Sequence, residues 1–124
     1  MVVSDKSQAI QNFWERFSIP AYDSATVPDN EQMPYITYEC KTSAFDETIS
    51  MMASLWYRSS SWADISQKAD EISAYIGRGG VMELYDGVAV WINREAPFTQ
   101  RMTDPDDTVR RIVILTTAEF MTAD

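Results

Sequence analysis

Histidine is absent from this 124-residue chain, and cysteine occurs once, at Cys40. Without an imidazole the chain loses the commonest general base, the Ser-His and Cys-His nucleophile pairs, and the commonest metal ligand. One cysteine permits no internal disulfide, which suits the cytosol or a particle assembled there, and no zinc site of ordinary composition can form in one subunit. Basic residues are scarce as well: ten lysines and arginines face nineteen aspartates and glutamates, a formal net charge of −9. Such a surface repels phosphate backbones and anionic bilayers, which argues against nucleic acid held by counterion release and against a membrane-surface protein. No apolar run approaches the ~18 residues of a bilayer span. The stretch Met1 to Lys6 turns polar at once, unlike a signal peptide.

What is present suffices for a core. The chain is 45% apolar and 12% aromatic, which separates it from disordered sequences, and its length fits a single domain over residues 1–124. Ile10, Phe13, Trp14 and Phe17 recur at helical spacing until Pro20 stops them. Tyr22 to Met33 reads as an irregular connection with a turn near Pro28-Asp29-Asn30. Tyr35 to Cys40 alternates as a half-buried strand, with Ile36, Tyr38 and Cys40 on one face, so Cys40 reads as a small buried hydrophobe. A polar link from Thr42 to Glu47 leads to a second strand, Thr48 to Tyr57. Its Ile49, Met51, Ala53, Leu55 and Tyr57 share one face, and Ser50, Met52, Ser54 and Trp56 share the other.

The clearest helix follows. Ser61 and Asp64 form a capping pair, Trp62, Ile65, Ala69, Ile72 and Ile76 form the apolar stripe, and Gly77 ends it. Val81–Tyr85 and Val88–Ile92 flank Asp86-Gly87 as a tight hairpin. Asn93 to Thr108 reads as a polar connection with an acidic tip at Asp104, Asp106 and Asp107. The last strand, Val109 to about Met121, carries Ile112 to Leu115 unbroken, so it is central or meets another chain on one face. The expected order is helix, two strands, helix, three strands. The fold class is α+β, a mainly antiparallel sheet with two helices packed on one face.

Chemistry is hard to find in these residues. Asp104-Pro105-Asp106-Asp107 lacks the length, central glycine and closing glutamate of a calcium loop. Gly77-Arg78-Gly79-Gly80 follows a helix end, where the dipole is negative, whereas phosphate favours a helix start. Ser59-Ser60-Ser61 has no base to activate it and reads as a turn. Glu39 and Glu83 are the acids nearest apolar runs, and both read as solvent-facing strand positions. The sequence therefore points to no catalytic residue, metal or cofactor. Trp56, Met52, Trp91 and Met102 fall where the patterns demand no core; they are either a second core layer or part of a subunit interface.

A resemblance emerges from three stretches. Pro34-Tyr35-Ile36-Thr37-Tyr38-Glu39 after a helix and an acidic connection resembles the opening of the tail terminator family of long-tailed bacteriophages. Leu55-Trp56-Tyr57, a serine-rich turn and Ala63 to Ile72 are similar to that family's strand-then-helix centre, and Thr108 to Leu115 is similar to its final strand. Neck and tail-completion proteins, which join head to tail, look almost the same. The resemblance implies a structural virion protein that is no enzyme. It would form a homo-oligomeric, commonly hexameric ring on the tail tube protein, end tube polymerisation and offer a docking surface to the head–tail connector. Its location would be the tail or neck of a virion assembled in the host cytoplasm.

Genome would pass through such a ring without specific binding, and an acidic lumen suits that passage because like charges repel. A ring needs one patch to meet a different patch on the next copy. Arg94, Arg101, Arg110 and Arg111 against Asp104, Asp106 and Asp107 are the expected rim partners, with Trp56 and Trp91 as further interface or lumen candidates. The rival expectations are another connector or neck subunit, a small non-viral cytosolic domain binding a basic or apolar partner, and a hydrolase with a buried acid pair.

Overall fold

In the computed structural model, residues 5–39 and 47–122 are described. The chain opens with α1 (Asp5–Trp14), which tightens into a 3-10 turn at Glu15–Phe17 and ends at Ser18 in the left-handed region, φ 66°. Then come β1 (Ala21–Asp23), β2 (Tyr35–Tyr38), β3 (Thr48–Arg58), α2 (Ala63–Ile76), β4 (Val81–Tyr85), β5 (Val88–Met102) and β6 (Val109–Thr122). All six strands join one sheet in the order β1-β2-β3-β6-β5-β4, antiparallel except for the β1–β2 pair. This is an α+β fold. Cys40 and most of the Thr42–Glu47 link lie outside the described residues.

Both helices cover the same face. α1 touches β1 near one edge and β4 at the other, so the sheet curls around it, while α2 lies over β3, β6 and β5. Of the stripe read for α2, Ile65, Ala69, Ile72 and Ile76 are buried, whereas Trp62 stands just before the helix and is half-buried. Fully burying an aliphatic side chain of this size stabilises by about 1.5–3 kcal/mol, so four along one helix fix its orientation. Phe13, Phe17 and Tyr75 meet edge to face or tilted where the helices touch, and Trp14 stacks on Tyr38 of β2. β6 is central between β3 and β5, with Ile112, Val113 and Ile114 buried.

Several expectations need correction. The Asn93–Thr108 stretch is not a connection as far as Met102, because β5 runs on through it and pairs again with β6 from Thr99↔Ile114 to Met102↔Arg111. A ladder register is set by the partner strand as well as by a segment's own polarity. Pro97, which has no amide to donate, sits inside the irregularity between Arg94 and Thr99. Tyr22 and Asp23, from the start of the expected connection, join Ala21 in β1, a strand too short for any periodicity to reveal. Among the described residues that makes three strands before α2, not two.

β4 inverts its expected faces. Glu83 points inward and is 2% exposed, while Leu84 is 62% exposed. The reason is Arg16, whose guanidinium reaches into the seam and takes the Glu83 carboxylate. The turn chemistry follows expectation: Asp86 and Gly87 both have positive φ, 47° and 84°, as a two-residue hairpin turn requires. The expected Ser61–Asp64 capping pair does not form: the cap position of α2 is Trp62, with no side-chain cap bond, and the Ser61 hydroxyl instead accepts from the Ala63 amide while Asp64 sits in the first turn.

Candidate functional site

Strand pairing gathers Trp56, Met52, Trp91 and Met102 onto one surface. On β6, alternate residues Ile112, Ile114, Thr116, Ala118 and Phe120 are buried under the helices, so Arg111, Leu115 and Glu119 face the other way. Trp56 pairs with Arg111, Met52 with Leu115, Trp91 with Glu119 and Met102 with Arg111. Met82 lies opposite Trp91 and Leu84 opposite Ala89, which adds two exposed apolar side chains at the β4 edge. No helix covers this side among the described residues. Trp56 and Trp91 are both half-buried here.

The arginines sit on aromatic rings and hydroxyls. Arg111 stacks over Trp56 at 4.6 Å and donates from Nε and Nη2 to the Ser54 hydroxyl. Arg101 and Arg110 both lie over Trp62, at 4.6 and 5.3 Å, just before α2 begins. Arg110 also donates to the carbonyls of Asp107, Val109 and Ser60, which tie the β6 start to the serine turn. Arg94 donates to the Ser73 hydroxyl on α2 at 2.7 Å. A guanidinium over a tryptophan is worth about 0.5–1 kcal/mol where exposed, and it holds a long side chain in one pose.

The acidic tip is occupied locally. Asp104 Oδ1 accepts from the Asp106 amide, and Asp106 Oδ1 accepts from the amide and hydroxyl of Thr108. Those Thr108 bonds, with the nearby Arg58, hold the Asp106 carboxyl below its ordinary value. Arg58 meets Asp106 at 3.4 Å, so the cation at this loop comes from the end of β3, a residue the sequence reading did not select. Asp107 is exposed. Within one chain, none of Arg94, Arg101, Arg110 and Arg111 makes an ion pair with the tip among the described residues.

Glu39 and Glu83 are not brought together, and Glu83 is not solvent-facing. Glu83 lies on the helix-covered face beside Arg16. Glu39 lies past the end of β2 and lines a groove of about 240 Å³ with Ser50, Met52, Glu95 and Leu115. Among the described residues no group of three or more His, Cys, Asp or Glu is arranged to hold a metal, and no helix is long and apolar enough to cross a membrane. Ser59 and Ser61 spend their hydroxyls on turn amides.

Two concave sites flank α2. Arg78, Arg94, Glu95, Pro97 and Phe98 line one of about 390 Å³ on the β5 side. Tyr57, Asp64, Gln67, Lys68 and Glu71 line another of about 310 Å³ on the β3 side. Burial, then the charges of Asp64 and Glu71, push the Tyr57 hydroxyl above its ordinary value. The helical spacing of Asp64, Lys68 and Glu71 was available in the sequence as a signal for this second site; Tyr57 joined it only through folding. No protein-family model matches the chain, and no curated protein is significantly similar to it.

Proposed function

We propose that this chain is the structural subunit of a phage tail terminator, a non-catalytic protein whose ring caps the tail tube. The observation that carries the reading is the bare sheet face. Trp56, Trp91, Met52, Met82 and Leu84 lie opposite the helices, and among the described residues no further helix or sheet lies over them. Aromatic residues and methionine are enriched where one protein meets another, and a two-layer domain with one uncovered apolar face is suited to lie against a neighbouring protein layer. The tail tube below or the connector above would supply that layer. The net charge of −9 suits a lumen through which DNA passes without sticking. The resemblance noted in the sequence adds the element order around β2, β3, α2 and β6.

The test is electron microscopy of particles from phage lacking the protein. Overlong tails without attached heads are expected, and the purified protein added back should restore joining. Tails of normal length bearing heads would end the proposal.

A further inference from the structure

Resting on the reading of a ring-forming subunit, we infer that copies join head to tail across α2: the Arg78 and Arg94 flank of one subunit docks in the Tyr57, Asp64 and Glu71 groove of the next. The occupant of each surface is a second copy of this chain.

The geometry of one helix carries the argument. With Ile65, Ala69, Ile72 and Ile76 buried, a 100° step per residue puts Asp64, Lys68 and Glu71 on one flank of α2 and Ser66 and Ser73 on the other. The contacts agree. Ser73 receives the Arg94 guanidinium from β5, whereas Lys68 Nζ donates to the Phe17 carbonyl on the opposite side. The two concave sites therefore lie on opposite flanks of α2, one with two arginines to one carboxylate and the other with two carboxylates to one lysine. A patch and its complement on opposite sides of a subunit make a heterologous contact, the kind that closes a ring, and cannot make a two-fold dimer alone.

Charge and chemistry match across the pair. Among the described residues Arg78, which is exposed, makes no ion pair, and Arg94 donates to the Ser73 hydroxyl and to no carboxylate. Glu95, the carboxylate among the described residues lining that groove, receives the Ser50 hydroxyl. On the acidic side Lys68 is drawn toward Phe17 and Glu71, while Asp64 and Glu71 still impose a negative field on Tyr57. Two carboxylates beside a tyrosine ring offer a guanidinium both an ion pair and a ring face. Among the described residues no strand pairs with the outer edge of β5 beyond Ile92, and Pro97 within it discourages simple strand addition. Side-chain docking is the contact this flank favours.

The test uses two full-length charge-reversed chains, Arg78→Glu/Arg94→Glu and Asp64→Lys/Glu71→Lys. Thermal melting confirms each is folded, and Arg78→Glu alone serves if the double variant is not. Self-association is read by light scattering and native mass spectrometry, and incorporation into particles by complementation. Each reversed chain alone should lose self-association by at least about a hundredfold and fail to complement. An equimolar mixture should recover both, because alternating copies restore every contact. Wild-type assembly that persists in either folded variant alone, or a mixture that stays dissociated, overturns this docking scheme and leaves the tail-terminator reading standing. Wild-type protein that neither self-associates nor enters particles overturns both.

Discussion

Arg16 and Glu83, sixty-seven positions apart, form a two-pronged ion pair: Nε donates to Oε1 at 2.7 Å and Nη2 donates to Oε2 at 2.8 Å. The carboxylate is almost wholly buried and the guanidinium is half-exposed. The bond to Glu83 raises the Arg16 pKa, and the same contact fastens the 3-10 turn after α1 to the edge strand β4.

The two ends of that pair should respond differently to substitution. Arg16→Ala strands a buried carboxylate, and the expected loss is about 3 kcal/mol. Glu83→Gln keeps an acceptor of the same shape and removes the charge that needed a partner, so about 1 kcal/mol is expected. Urea unfolding of both variants checks the order. A larger cost for Glu83→Gln would mean the carboxylate is not what Arg16 serves.

Acid should loosen the 104–108 loop at an unusually low pH. Asp106 accepts two bonds from Thr108, so its folded pKa lies below the ordinary 3.8. A carboxylate lowered in this way contributes order that is complete above the ordinary value. That order is lost as pH falls through the folded one. The Thr108 amide resonance, followed by NMR on a pH descent, should move with a midpoint under 3.8. In Asp106→Asn that transition should vanish, and a midpoint at or above the ordinary value would contradict the assignment.

Glycine substitutions separate conformational strain from crowding. A Cβ on Gly80, φ 88°, would sit 2.3 Å from Asn93 Oδ1 and 2.9 Å from the Ile92 carbonyl oxygen. At Gly87, φ 84°, it would meet nothing within 4 Å. Gly87→Ala should therefore cost about 1 kcal/mol for its left-handed backbone, and Gly80→Ala about 3 kcal/mol because the clash adds to the strain. Thermal denaturation of the pair distinguishes them, and equal costs would show that both the Asn93 side chain and the Ile92 carbonyl give way freely.

Local patterns made much of this fold legible. The α2 stripe, the Gly77 stop, the Asp86-Gly87 turn and the alternation of β3 all arise from interactions within a few residues, where periodicity and φ preference act directly. Composition likewise spoke for itself in the missing histidine and the excess acid. β4 shows where such reading ends. Val81 to Tyr85 reads with Glu83 facing solvent, yet Glu83 is inside, because the partner that decides it is Arg16 from another element.

The same division applies to the surfaces. That Trp56 and Trp91 belong to a second core layer or an interface could be read from their positions in the chain, whereas their meeting on one face free of helices among the described residues required the β3–β6–β5 register. The polar run after Asn93 became strand only because β6 was beside it to pair with. What the sequence by itself determined is what depends on neighbours in the chain: element type, turn conformation and overall charge. Which side of the sheet is bare, which acid is buried and which charges oppose each other across α2 were decided by tertiary contact, since each depends on residues that only the finished fold brings together.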